Sequence, residues 1–271
     1  MRTRIAAAVV LILMPVVAAG CGGGPERERA QALKPPAKDE SAPSRSSRAV
    51  AVAEPTPCRP GDVRPLVTRT VAYAAAVRLR ASAFRAPGNG LLATFRRLNQ
   101  NGVATVFGVL AARVDGGCRP TWYRVQLPMR PNGITGWVRA RDVSVSTVRS
   151  RILVDLSERR VTLFAEGRPV LTTAAAIGAP STPTPTGRYY VNQRLRAPNP
   201  TGAFGPGAVG VSAFSPVLRN WPQGGPIAIH GTNSPQNLGF AVSHGCVRVG
   251  NADLERLWEL APEGTPVEIR M

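Results

Sequence analysis

The chain has 271 residues, 44% of them hydrophobic, enough for one large domain or two small ones around a real core. Its 34 Lys+Arg against 16 Asp+Glu give a formal charge of +18. Residues 151–271 hold 11 Arg and 8 acids, so residues 1–150 carry the other +15. No RNP, zinc-finger or helix-turn-helix pattern accompanies this excess, so no nucleic-acid partner is expected; the arginines read as a solvated surface suited to anionic lipid or anionic polymers.

Arg2 and Arg4 precede an apolar run, Ile5 to Val17, followed by the small residues Ala18-Ala-Gly20. Residues 1–20 therefore read as a signal peptide, with an apolar core too short for a comfortable membrane span. Ala-Ala-Gly-Cys21 resembles a bacterial lipobox, which implies lipid attachment at Cys21 and anchoring to the outer face of the cytoplasmic membrane. Ala18 departs from the larger aliphatic residue usual in that motif; the alternative is an ordinary secretory signal with Cys21 as a passenger. Residues 21–57 contain Gly-Gly-Gly, Pro-Pro and Ser-rich pieces without an aromatic residue, a composition expected of a disordered tether.

From Cys58 the texture changes. Val71-Ala-Tyr73, Val77-Arg-Leu79, Ala104-Thr-Val106-Phe, Trp122-Tyr-Arg-Val125 and Gly136-Trp137-Val are short strand-like runs. Gly88-Asn-Gly90, Gly116-Gly117 and Pro131-Asn-Gly133 supply turns between them. Residues 58–147 are thus expected to form a small all-β domain, and the segment Trp122 to Val138 resembles a bacterial SH3-like wall-associated module. Cys58 and Cys118 are left over in an exported chain, and a disulfide between them is expected.

The remainder, residues 148–271, is expected to be mostly β with one helix, making the whole chain mainly β. Residues 151–156 and 161–165 read as a hairpin, Pro169 to Thr173 as a third strand, and Arg188 to Val191 as a fourth. Residues 196–225, broken by Pro and Gly, read as one long loop, with Phe204 or Trp221 as a cover over a site. Asn251 is placed as the N-cap of a helix whose apolar stripe is Leu254, Leu257, Trp258 and Ala261; Pro266 to Arg270 closes the chain as a strand.

Both histidines fall in one stretch with a cysteine: His230 at the end of Ile227-Ala-Ile229, then Ser243-His244-Gly245-Cys246. A thiol with an imidazole beside it forms a thiolate nucleophile suited to acyl transfer, and converging backbone N–H groups near Gly245 would bind an oxyanion. Two other readings stand on the residues alone. Cys246 could be a buried structural thiol, or His230, His244 and Cys246 could ligate zinc, although that spacing fits no common zinc pattern.

His230-Gly-Thr-Asn and Ser243-His244-Gly245-Cys246-Val-Arg248, with Thr184-Pro-Thr-Gly187 upstream, resemble the catalytic domain of YkuD-type L,D-transpeptidases. The resemblance implies peptidoglycan chemistry without a cofactor. Cys246 would attack the carbonyl of the third residue of a tetrapeptide stem, expel D-alanine and pass the acyl group to an amine of a second stem, making 3→3 cross-links. It implies His230 as base, oriented by the Gly231 carbonyl, with Ser243 and His244 shaping the nucleophile loop. Gly245 and Cys246 N–H groups would form the oxyanion hole, and Arg248 would support the loop or touch substrate. His244 as the base is the alternative. Water or a protein amine could replace the second stem as acceptor, and an inactive wall-binding lipoprotein is the non-enzymatic reading. Carbapenems would acylate Cys246 by the same resemblance.

Overall fold

A computed structural model describes residues 57–271, which lie within one compact unit, Glu54–Met271. The signal peptide, Cys21 and nearly all of the tether lie outside the described residues. The first half contributes β1 (Val63–Pro65), β2 (Ala72–Val77), β3 (Arg80–Ala86), β4 (Asn89–Arg96), β5 (Val106–Val114), β6 (Pro120–Gln126), β7 (Thr135–Arg139) and β8 (Val143–Val148). They form one sheet in the order β4-β3-β7-β6-β5-β2-β8, with β1 paired to β5.

The second half runs β9 (Ser150–Asp155), β10 (Arg160–Ala165), β11 (Arg168–Ala174), β12 (Ile177–Gly178), β13 (Gly187–Arg196), β14 (Gly207–Phe214), β15 (Pro226–His230), β16 (Ala241–Ser243) and β17 (Val247–Arg248). The helix α1 (Asn251–Leu260) and the strand β18 (Pro266–Arg270) complete it. Its sheet is ordered β11-β10-β9-β18-β13-β14-β15-β17, and β12 pairs separately with β16. The described chain is mainly β with a single α-helix.

Period-two burial builds the second core. Ile152 and Val154 of β9, Val161 and Leu163 of β10 and Val267 and Ile269 of β18 face inward in alternation. Leu254, Leu257 and Ala261 lay one stripe of α1 onto the same core. Trp258 instead stays partly exposed, with the Arg196 guanidinium 4.1 Å from its ring centroid.

Three features differ from the sequence-based expectations. The stretch read as a loop, 196–225, contains β14, a strand buried along most of its length. A Cβ on Gly210 would lie 2.7 Å from Gln193 Cγ, and one on Gly207 would run into the Leu195 carbonyl oxygen at 2.5 Å. These glycines serve close approach to β13, not chain reversal. The pair β3–β4 is not signalled by the sequence, because β3 presents alanines, Ala81 and Ala83, at its buried positions, residues with little strand signal of their own. The N-cap of α1 is Gly250, without a side-chain cap, and Asn251 is the first helical residue.

The two sheets meet closely. A Cβ on Gly108 of β5 would stand 2.8 Å from Tyr190 Cγ of β13, so only glycine admits the ring there. The Tyr190 hydroxyl donates to the Val106 carbonyl at 3.1 Å, and Gln126 Nε2 donates to the Arg188 carbonyl at 2.7 Å.

Cys58 and Cys118 are bridged, with Cα atoms 5.2 Å apart, tying the start of the described chain to the β5–β6 turn. Closing a loop 60 residues long is worth up to about 4 kcal/mol through the unfolded chain. Reduction, or Cys58→Ser with Cys118→Ser, is expected to lower the unfolding midpoint in urea accordingly. An unchanged midpoint would show the bridge to be idle.

Candidate active site

His230 stands at the end of β15, whose Ile227 and Ile229 are packed in the core, and is itself only 4% exposed. Its Nδ1 lies 2.6 Å from the Gly231 carbonyl oxygen. A carbonyl only accepts, so Nδ1 carries the proton and Nε2 presents a lone pair. Burial lowers the imidazole pKa, the Gly231 bond opposes that, and the positive charge of Arg248 lowers it further, to about 4. At neutral pH this imidazole is an uncharged proton acceptor.

The turn after His230 is held from α1. Asn251 Oδ1 accepts the Thr232 N–H at 2.8 Å and lies against Gly205 and Gly231, at both of which a Cβ would collide with it. The side chain expected to cap its own helix fixes the carbonyl-bearing turn beside the histidine instead.

The nucleophile loop is built around Ser243, whose hydroxyl donates to the Cys246 carbonyl and accepts the Gly245 N–H at 3.1 Å. Gly245 has φ +110°, a conformation that favours glycine, so the sharp loop specifies that residue. The Thr-Pro-rich segment 179–187 props the loop from behind. Thr182 Oγ1 donates to the Ser243 carbonyl, and Thr184 Oγ1 to the Gly245 carbonyl, each at 2.9 Å. Thr184 Oγ1 in turn accepts the Gly178 N–H at 2.9 Å. The sequence singled out Thr184-Pro-Thr-Gly187 through resemblance; its physical task is to hold this loop.

Cys246 is the one free cysteine among the described residues. Strands β15 and β17 run parallel with Ile229 opposite Val247 and His230 opposite Arg248. That register sets Cys246 beside Ala228, two residues short of His230, about 6.6 Å along the neighbouring strand. The thiol lies 3.9 Å from the Pro226 carbonyl oxygen. Burial pushes its pKa up, while a hydrogen bond from the Ala228 backbone and the Arg248 charge pull it down. One guanidinium thus acts on both groups. Arg248 Nε is buried and has no hydrogen-bond partner.

Two aromatic side chains border the site, one against each histidine. The Phe204 ring lies 4.7 Å from the His230 ring, and Trp221 lies 5.1 Å from His244. Both remain about half exposed, as the edges of an open site. His244 is exposed and its ring meets Trp221, a place on the rim. The Gly245 N–H, expected as an oxyanion donor, is engaged by Ser243 Oγ. Among the described residues no three His, Cys, Asp or Glu side chains gather as metal ligands.

Comparison with known proteins meets this site. The family described as the L,D-transpeptidase catalytic domain, YkuD, matches residues 149–269. The YkuD protein of Bacillus subtilis (strain 168), whose name carries an L,D-transpeptidase assignment, is 37% identical over 123 residues, covering 45% of this chain and 67% of that protein. The chain belongs to the YkuD family. Its Bacillus licheniformis relative matches similarly, 38% identical over the same share of each chain. The E. coli (strain K12) protein ErfK/SrfK, also named for L,D-transpeptidase activity, is 30% identical over 138 residues, 45% of this chain and 44% of its own. Among solved structures, the catalytic domain of the E. faecium L,D-transpeptidase aligns with TM-score 0.34 and 23% identity, covering 45% of this chain and 96% of that one. The family assignment rests on the sequence matches. The YkuD match begins at Arg149, where β8 has just ended, so the first sheet lies wholly outside it.

Proposed function

We propose that this chain is a peptidoglycan L,D-transpeptidase that forms 3→3 cross-links through a thioester on Cys246. The observation that carries this reading is the state of His230. With Nδ1–H donated to Gly231 and a lone pair on Nε2, it is suited to take a proton from the Cys246 thiol, which precedes β17 and meets the backbone of Ala228, two residues before His230. In the acylation half, the Cys246 thiol gives its proton to His230 Nε2 as sulfur attacks the carbonyl of the third stem residue. Collapse of the tetrahedral intermediate breaks the bond to D-alanine, whose amine leaves with that proton. In the second half an amine of another stem attacks the thioester, its proton passes to His230 and then back to sulfur, and the new amide is released.

The Cys246 N–H is the oxyanion donor in this reading, because the Gly245 N–H is held by Ser243. Burial keeps the imidazole unprotonated, and the Arg248 charge adds to that while favouring negative charge at sulfur. Among the described residues the Gly231 carbonyl, and not a carboxylate, is the partner of His230 Nδ1 and orients the imidazole.

Incubation of the purified chain with disaccharide tetrapeptides, followed by separation of the muropeptides, tests the reaction. Tripeptide-to-tetrapeptide dimers are expected. Trimmed tripeptides alone would assign a carboxypeptidase instead, and untouched stems would remove the enzymatic reading. Carbapenems are proposed to acylate the same sulfur. We further propose that Cys21 carries the lipid anchor and that the first sheet is an SH3-like module. Palmitate labelling of wild type and Cys21→Ser tests the anchor, with label absent from the variant.

A further inference from the structure

We propose that Arg130, from the first sheet's β6–β7 turn, is a positioning residue for the substrate wall of the catalytic site, so that the N-terminal module completes that site instead of only spacing it from the membrane. The segment between β14 and β15, residues 215–225, carries Trp221 and leads directly into Pro226, whose carbonyl faces the Cys246 thiol. It is closed at its base by the Ser215 N–H donating to the Gly225 carbonyl at 2.8 Å. The buried Ser215 hydroxyl also accepts the Leu218 N–H at 3.1 Å.

Arg130 grips both limbs of this loop. Its Nη2 donates to the Ser215 carbonyl and to the Gly224 carbonyl, each at 2.8 Å, while its guanidinium lies 5.3 Å from the Phe214 ring centroid. Two residues on, Asn132 exchanges a reciprocal pair of bonds with the Phe214 backbone, donating at 2.8 Å and accepting at 3.0 Å. A third tie joins Gln223 Nε2 to Asn101 Oδ1 at 2.7 Å. One charged group satisfying two carbonyls that face each other across a loop fixes their separation, because carbonyls brought together without a donor repel. What the loop holds up is Trp221 against His244, two residues from the nucleophile.

This inference rests on the proposed transpeptidase reading for its kinetic arm only. Arg130→Ala in the full chain is expected to raise KM for tetrapeptide stems about 10-fold while kcat stays within about 3-fold, the pattern of lost binding common to ground and transition states. Arg130→Lys should fall between, keeping a charge but not the planar fork over Phe214. The second arm needs no turnover. The chain has two histidines, so ¹⁵N-histidine spectra contain two imidazole signal sets. In Arg130→Ala the His244 set should move toward its position in Trp221→Ala, while the His230 set stays in place.

Wild-type KM with an unmoved His244 signal would overturn the proposal. So would an equal fall in kcat with KM unchanged and a lowered unfolding midpoint, which would mark Arg130 as a fold residue only. If Arg130→Ala does not fold, Asn132→Ala is expected to give the same KM rise and His244 shift, and wild-type behaviour there overturns the proposal equally. A chain that turns over no stems but shows the His244 shift leaves this inference standing and removes the reaction.

Discussion

Cys246→Ala is expected to lower release of D-alanine from tetrapeptide stems by about 10⁴-fold or more, to the rate of the uncatalysed mixture. The thiol makes only weak contacts with backbone groups, the Pro226 carbonyl and the Ala228 N–H, and the backbone itself is unchanged by the substitution. Stability should therefore shift by no more than about 1 kcal/mol, separating loss of chemistry from loss of fold. Cys246→Ser should be nearly as inactive. A hydroxyl is a far weaker acid than a thiol, and an imidazole whose pKa is held down to about 4 cannot draw enough of its proton. A serine variant with appreciable turnover would mean that nucleophile acidity is not limiting.

His230→Gln is expected to slow acylation by about 10²–10⁴-fold. Its residual rate should climb about tenfold per pH unit up to the raised pKa of the Cys246 thiol, since only thiolate formed without help can then react. The wild type should behave differently. An ordinary imidazole, with a pKa near 6.5, would leave about a tenth of the base unprotonated at pH 5.5. With its pKa near 4, His230 stays neutral there, and the acylation rate should hold from pH 7 to about pH 5 before falling. A half-maximal rate near pH 6.5 would contradict the buried, Arg248-biased imidazole.

The same displacement has a consequence for stability. Between pH 6.5 and about 4 the unfolded chain binds a proton at His230 that the folded chain refuses. No stability is lost on this account above pH 6.5; the loss grows as pH falls and reaches roughly 3 kcal/mol at about pH 4. Urea unfolding at pH 7 and pH 4.5 should show a smaller acid loss in His230→Gln than in wild type.

The candidate site was legible in the sequence because it is local. His230 ends a short apolar run, and Ser243 to Cys246 form a loop whose glycine is dictated by its own φ. The strand β18 and the hairpin of β9 and β10 were legible for a related reason: their inward residues alternate without interruption. β14 was hidden because Gly207 and Gly210 punctuate it, and only the nearness of β13 shows that they are there for clearance. Asn251 sits where a helix cap would, and sequence spacing cannot tell a side chain turned to its own helix from one turned to Thr232. Arg130 is 85 residues from Ser215, in a Pro-Asn-Gly stretch that reads as nothing more than a turn. Contacts of that separation follow from how two sheets are docked, and no periodicity in either one encodes them.

The central claim, that sulfur of Cys246 carries the stem as a thioester, is tested most directly by intact-mass analysis of the chain after brief incubation with tetrapeptide stems and an acid quench. The expected product is a chain heavier by one stem less D-alanine, with the added mass confined to the peptide bearing Cys246 and absent from Cys246→Ala. D-alanine released at the wild-type rate by Cys246→Ala, or an adduct mapped to another residue, would contradict it.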